Sequence, residues 1–573
     1  MSKFRPDIEG LRAFAVIPVI FFHLSLMPNG YLGVDVFFVI SGFLITGLIY
    51  SDLGRGSFSL LDFYIRRARR ILPLCLFVVT ITLIFGSLTM LPDDLENLGQ
   101  SVIATNFFAN NILQAITTQN YWDVVNEFKP LMHTWSLGVE EQFYIILPIL
   151  LILIARTSKT IKLTVLYSFT IISLILFFTN APEFKKFYFI WFRFWELAMG
   201  GLVAIHLKGR LITYENSFIP IVVLLFMLVI PHDLGNQFSL IAVVLLTSMV
   251  LATNNNSQRV SKFFLENRIV RFIGLISFSL YMWHQVVFAF SRYFWKQQFL
   301  LLDYFVLISL VLLLSIFSYR YIERPFRKRV PIKYFISIVF LVFSLTSLYS
   351  WYLYINAGVL KNIPELDIDS SNISRGMHSK YNHAIFDLDK SFSNNHKIKV
   401  LIVGDSFARD WANVLKESKY STNIDISYIF DFKFHQSLKE RINDADVVFF
   451  STPKRSELNK IEIDFDKVWA IGFKNFGVSN GIFYNYSGPG FYDQRTKMMT
   501  MALTFNNDLK AQWGDRFIDL IKPVIDNNGM VPIFTPEGKF ISQDTRHFTK
   551  AGAEFYSQLL EKDLDFIFLP LIK

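Results

Sequence analysis

Near the C-terminus, the run DTRHFTKAGA sets Asp544 three residues ahead of His547, just before a helical pattern. At that spacing a carboxylate can orient an imidazole, and an imidazole so held can take the proton of a serine hydroxyl. The serine in a matching position is Ser406. The triplet GDS, Gly404 to Ser406, follows the apolar run KVLIV and precedes a helical run. A hydroxyl at a strand-to-helix turn lies beside backbone N–H groups able to stabilise an oxyanion. Read singly, GDS is a common triplet and DTRH a polar turn before a helix.

A second set of ionisable residues lies among apolar runs. Arg12 and His23 are eleven residues apart on the first of these. At about 100° per residue they return to nearly one helical face, separated by a rise of roughly 16 Å. Polar groups at such depth face a bundle interior or a water-filled cavity. Asp35 opens the next run and is expected to sit level with His23, where a carboxylate would fix the imidazole tautomer; the alternative is a solvated helix start. FYIRRARRILP holds two i,i+3 arginine pairs, Arg66 with Arg69 and Arg67 with Arg70. Guanidinium groups suit phosphate, and they equally serve as orientation anchors. HTWSLGVEEQFY brings His133, Glu140, Glu141 and Tyr144 to a helix entry, with Glu140 and Tyr144 on one face. Arg193 and Glu196 read as an intrahelical ion pair, and His284 and Glu323 as structural residues.

The elements that must position these groups follow from composition. The chain of 573 residues is 52% hydrophobic and 17% aromatic, with 61 Phe. Its apolar residues fall in long runs over the first 355 positions, which is a membrane signature. Eleven runs approach the length of about 20 residues that a span needs. They centre near 11–26, 34–50, 71–91, 139–155, 161–179, 187–206, 217–231, 238–252, 273–291, 299–318 and 335–355. Lys and Arg crowd alternate connections, such as Arg55 with Arg66 to Arg70, and Arg320 to Lys333, whereas the opposite connections hold only Lys129, Lys185, Lys186, Arg292 and Lys296. This asymmetry predicts a cytoplasmic N-terminus, and an odd number of spans then puts the C-terminal part outside. The net charge of +9 thus reflects orientation, and no nucleic-acid partner is expected. MSKFRPDIEGLR is too charged for the apolar part of a signal peptide, so the first helix is expected to stay. The single cysteine, Cys75, excludes a disulfide framework, a cysteine zinc cluster and a CxxC pair within the chain. No metal site is expected.

Residues 356–397 read as a polar linker. From Lys399, strand-like runs (KVLIVGDSF, ADVVFFST, GIFYNYS) alternate with helical ones (ARDWANVLKES, KAGAEFYSQLLEK), which predicts an α/β domain with a parallel sheet over 398–573. The domain reading is therefore an α-helical polytopic membrane domain of ten spans over 1–334, an eleventh span over 335–355, the linker, and the α/β domain.

Six segments, FRPDIEGLRAFAV, GYLGVDVFFVISGFLITGLI, FYIRRARRILP, HTWSLGVEEQFY, SFSLYMWHQ and YRYIERPFR, together resemble the acyltransferase-3 family of membrane acyltransferases over about residues 4–330. The GDS and DTRH motifs together resemble SGNH hydrolase-like domains over about 398–565. The first resemblance implies Arg12 and His23 as catalytic, and Asp35 is read with them from its position. It also implies Arg67 and Arg70, although Arg66 and Arg69 fit the same spacing, as binding residues for acetyl-CoA, which is used as donor rather than held as a resident cofactor; Glu140, a carboxylate entering an apolar helix, is read as a donor-binding candidate beside them. The second implies Ser406 as nucleophile, His547 as base and Asp544 as its orienter. The SGNH oxyanion asparagine has only one match, Asn475 in GFKNFG, and the glycine donor has none. The fusion is similar to bacterial envelope O-acetyltransferases. It implies a multi-pass protein of the inner membrane with a periplasmic C-terminal domain, acting on a lipopolysaccharide O-antigen that is lipid-linked or free. Peptidoglycan acetylation, net deacetylation, and a transporter or scaffold with a degenerate soluble domain are the rival readings.

Overall fold

The computed structural model describes residues 5–117, 126–207, 218–232, 234–253, 259–294, 299–367, 381–393, 396–430, 437–451, 458, 463–477, 479–486 and 488–572. The chain divides into two compact units. The first comprises residues 1–88 and 97–351, the second residues 89–96 and 352–573.

The first unit is helical. Helix α1 (Pro6–His23) starts with proline at its first position and Asp7 and Glu9 in its first turn, a start favoured by the fixed proline φ and by the helix dipole. Helices α2 (Gly33–Gly54) and α3 (Leu60–Thr89) follow. Among the described residues, seven helical segments are long and apolar enough to cross a membrane: Gly30–Gly54, Leu60–Thr89, Met132–Leu153, Lys159–Phe177, Glu183–Leu207, Leu301–Arg327 and Ile332–Ile355. An eighth candidate is a broken pair, Arg268–Leu275 and Ser277–Phe294, bent by 67°. All eleven apolar runs fall on helices, but three of those helices are not in this set. Ile219–Val229 and Asn236–Ala252 are short, and α1 carries Asp7, Glu9 and Arg12 within its 18 residues.

The site region is built on one close packing. Helix α2 and the helix Ile190–Leu207 approach so nearly that a Cβ on Gly42 would stand 1.8 Å from the Leu197 carbonyl oxygen, and one on Gly200 2.0 Å from that of Val39. Small residues allow such backbone approach between membrane helices, where burial from water supplies no drive. This brings Asp35 on α2 beside Arg193 and Glu196.

The second unit holds a five-stranded parallel sheet in the order β2-β1-β3-β4-β6. The strands are β1 (Ile398–Val403), β2 (Ile424–Ile429), β3 (Val447–Ser451), β4 (Val468–Ile471) and β6 (Phe517–Ile518). A two-stranded antiparallel ladder pairs β5 (Arg495–Lys497) with β7 (Met530–Pro532). Strands β1 and β3 are nearly continuous in buried apolar residues, as expected for parallel strands covered on both faces.

Two expectations are corrected here. GIFYNYS is not a strand: Asn480–Tyr484 is a short helix, because Ser479 accepts from the Gly481 N–H and caps it. The strand in that part of the chain is β4, with the sequence VWAI. The stretch 356–397 is not simply a linker, because Ile363 and Leu366 are buried against Phe483, Phe534 and Phe540. Residues 368–380 and 394–395 of it lie outside the described residues.

Candidate functional site

Strand β1 lies between β2 and β3, so the connections diverge to either side of it. The crevice beyond its C-terminal end is where open parallel sheets hold ligands. Ser406 stands there, opening the helix Ser406–Lys416. Gly404 turns the chain with φ +136°, and a Cβ at that position would stand 2.2 Å from Ser451 Oγ. Asp405 caps the helix, accepting from the Phe407 N–H (3.0 Å) and from Ser451 Oγ (2.8 Å).

The sequence-predicted partners of Ser406 meet it. His547 Nε2 is 2.8 Å from Ser406 Oγ, and His547 Nδ1 is 2.5 Å from Asp544 Oδ2. The other oxygen of Asp544 accepts the backbone N–H groups of Arg546 (3.1 Å) and His547 (2.9 Å). Burial works against the charged carboxylate of Asp544. The facing imidazole and the hydrogen bonds from His547 outweigh it and hold the carboxyl below the usual range. An ionised carboxylate only accepts, so the proton sits on Nδ1 and Nε2 is the basic nitrogen facing the hydroxyl. This is the geometry of an activated serine.

Two residues outside the sequence reading brace this arrangement. Asp410, one turn along the helix from Ser406, accepts from the Phe548 N–H (2.9 Å) and from Lys474 Nζ (2.8 Å). It thereby ties the loop carrying His547 to the helix carrying Ser406. Burial pushes the Lys474 ammonium down from its ordinary value, and Asp410 opposes that. The only signal in the sequence was the i,i+4 spacing of Ser406 and Asp410. Asn475 is buried and closes its own turn, donating to the Gly477 carbonyl (3.1 Å) and accepting its N–H (3.2 Å). Phe476 N–H donates to the Thr545 carbonyl at 2.8 Å, which joins that turn to the Asp544 loop.

In the first unit, the arginine ambiguity resolves by environment. Arg66 is exposed, and Arg69 donates to the carbonyls of Val330 (2.8 Å) and Phe326 (3.3 Å), as an anchor does. Arg67 lies over the Tyr144 ring at 4.2 Å and 3.9 Å from Glu141. Arg70 is within electrostatic reach of Arg12, Arg67 and Arg327, and Arg12 of Glu140, Tyr144 and Glu323. Glu140 accepts from Tyr144 Oη (2.6 Å) and Ser41 Oγ (2.9 Å). Several elements thus gather Arg12, Arg67, Arg70 and Arg327 around a few acidic groups, an arrangement suited to a polyanion.

His23, the last residue of α1, lies elsewhere. Its ring is 5.1 Å, centroid to centroid, from His284, which is 5.1 Å from His133. Arg292 donates to the His23 carbonyl (2.8 Å) and pairs with Glu127 (3.3 Å). Tyr281 Oη meets Ser136 Oγ (2.6 Å) and the His133 carbonyl (2.7 Å). Asp35 is not the partner of His23. It is paired with Arg193 at 2.6 Å, and Arg193 with Glu196 at 3.2 Å, all three buried. A buried carboxylate needs a charge-matched donor, and a guanidinium is always charged.

Residues 5–320, more than half of the chain, match the acyltransferase domain family. The chain belongs to this acyltransferase family. Among its curated relatives, "Putative O-acetyltransferase SAS0844" of Staphylococcus aureus strain MSSA476 is 33% identical over 357 residues, 57% of this chain and 58% of that protein. "O-acetyltransferase OatA" of Staphylococcus aureus strain NCTC 8325 / PS 47 is 30% identical over 354 residues, with the same two shares. The chain thus spans less than two thirds of the length of these relatives. No solved structure matches it.

Proposed function

We propose that this acyltransferase carries acetyl from cytoplasmic acetyl-CoA to hydroxyls of a cell-envelope glycan, with lipopolysaccharide O-antigen as acceptor. What supports the reading is one combination: a family membrane unit with clustered arginines and a buried imidazole group, and a formed Ser406–His547–Asp544 arrangement in the second unit. Arg67 and Arg70, with Arg12 and Glu140 beside them, hold the donor's phosphates by planar, permanently charged forks. His23 takes the acetyl group. Ser406 receives it next, its proton passing to His547 Nε2, while the Ser406 N–H and the Asn475 amide face the oxyanion. Splitting the transfer in two replaces one difficult step by easier ones. In this reading the chain crosses the inner membrane eleven times from a cytoplasmic N-terminus, and the second unit contains a periplasmic SGNH-type domain over residues 398–573.

The test is ester-acetyl analysis, by NMR and mass spectrometry, of O-antigen and peptidoglycan from a strain with and without the protein. Acetyl lost from O-antigen and restored by the gene supports the proposal. Loss from peptidoglycan alone moves the acceptor to that glycan. Unchanged acetylation of every envelope glycan refutes the reading.

A further inference from the structure

The histidine cluster contains an imbalance that points to chemistry. His284 is fully buried, and its Nδ1 lies 2.6 Å from the Tyr281 carbonyl oxygen. A carbonyl only accepts, so Nδ1 carries the hydrogen and Nε2 is a bare acceptor. Among the described residues that Nε2 has no hydrogen-bond partner. Histidines that only fill space in a core have their nitrogens satisfied, because an orphaned buried acceptor is costly. The orphan nitrogen belongs to the ring packed against His23. Among the described residues no carboxylate contends for the position, since Asp35 is held by Arg193 and Glu323 by Arg327 and Ser279. The other groups around the cluster are His133, the Tyr281 phenol and Arg292, which is paired with Glu127.

We propose that His284 is a positioning residue whose Nε2 accepts the proton that His23 sheds during acyl transfer. The inference rests on the acyl-transfer reading above. When one nitrogen of His23 attacks the thioester carbonyl, an N–C bond forms, the C–S bond breaks, and the electron pair leaves on the thiolate sulfur. The acylated ring then carries a proton on its other nitrogen. His284 Nε2 takes that proton, and the resulting imidazolium and thiolate neutralise each other when the proton moves on to sulfur as free thiol. His23 and His284 are not hydrogen-bonded in the resting protein; such contacts tighten once substrate is bound.

The experiment is single-turnover mixing of the full-length protein in detergent with acetyl-CoA, following free thiol at several donor concentrations. His23→Ala should release none; release at the wild-type rate from that variant would remove the acyl-transfer reading itself. Given a silent His23→Ala, His284→Gln and His284→Phe should each lower the maximal rate by about 10²-fold or more, with the half-saturating acetyl-CoA unchanged. Gln keeps an acceptor but cannot carry the proton, and Phe keeps only the volume. A wild-type rate from Gln would reduce His284 to an orienting hydrogen bond, and from Phe to packing; either overturns the proposal. Should both variants unfold, 15N-histidine NMR of the wild-type protein decides. The proposal requires the His284 proton on Nδ1, and a proton found on Nε2 overturns it.

Discussion

The chain holds two imidazole centres built on opposite plans. In the second unit His547 stands between a carboxylate and a hydroxyl, both within 2.8 Å. In the first unit His23, His284 and His133 have one another as neighbours. The acidic groups there are committed elsewhere: Asp35 and Glu196 to Arg193, Glu323 to Arg327, Glu140 to Tyr144 and Ser41. The difference follows from the surroundings. A carboxylate among apolar helices must be matched by a guanidinium or by donors, whereas one in a turn beside a sheet is satisfied by backbone N–H groups. The polar turn can therefore support a fixed acid–imidazole–hydroxyl file. The helix bundle supports a row of imidazoles that needs no permanent countercharge.

The largest expected effect breaks the second centre alone. Asp544→Asn removes the acceptor that holds the His547 proton on Nδ1, so hydrolysis of p-nitrophenyl acetate by the full chain should fall about 10⁴-fold. Release of thiol from acetyl-CoA should stay unchanged. The direction of the Asp544 shift adds a pH expectation. A carboxyl held below its usual range keeps its ionised form as pH falls, and loses that contribution only when pH drops through the lowered value. The esterase rate should therefore show no loss attributable to Asp544 across the ordinary carboxylate range near pH 4. A decline of the wild-type rate there that vanishes in Asp544→Asn would contradict it.

A smaller effect sharpens the other side of the comparison. Replacing Arg67 and Arg70 together by Lys keeps their charge but loses the planar fork. The half-saturating acetyl-CoA should rise about tenfold, equivalent to about 1.4 kcal/mol, with the maximal rate of thiol release kept. The same double change at Arg66 and Arg69 should leave it unaltered, because Arg66 is exposed and Arg69 is bonded to backbone carbonyls. Equal effects from both pairs would return the arginines to orientation anchors.

The two centres also differ in how far their residues announced themselves. Ser406, Asp544 and His547 were legible because local elements place them: a strand end, a helix start, and a three-residue spacing that a turn folds back on itself. The parallel sheet was legible for the same reason, although GIFYNYS, apolar and aromatic, hid a helix that only the Ser479 cap reveals. In the membrane unit the partners come from remote helices whose apolar faces carry no distinguishing period. Asp35 and Arg193 lie 158 residues apart, so the nearer His23 was the natural but wrong partner. Arg67 and Arg70 could not be told from Arg66 and Arg69, since both pairs share one spacing and only packing separates them. The contacts of His284 with His23 and His133 were not legible either, because all three sit on different elements.

In the proposed reaction acetyl passes through both centres in turn. The most direct measurement compares His23→Ala and Ser406→Ala at equal expression, scoring O-acetyl groups on the envelope glycan and acetyl-CoA consumed. The account predicts that both variants leave the glycan unacetylated, that Ser406→Ala still consumes acetyl-CoA, and that His23→Ala does not. Near-normal glycan acetylation by Ser406→Ala would contradict it and make the membrane centre sufficient for transfer.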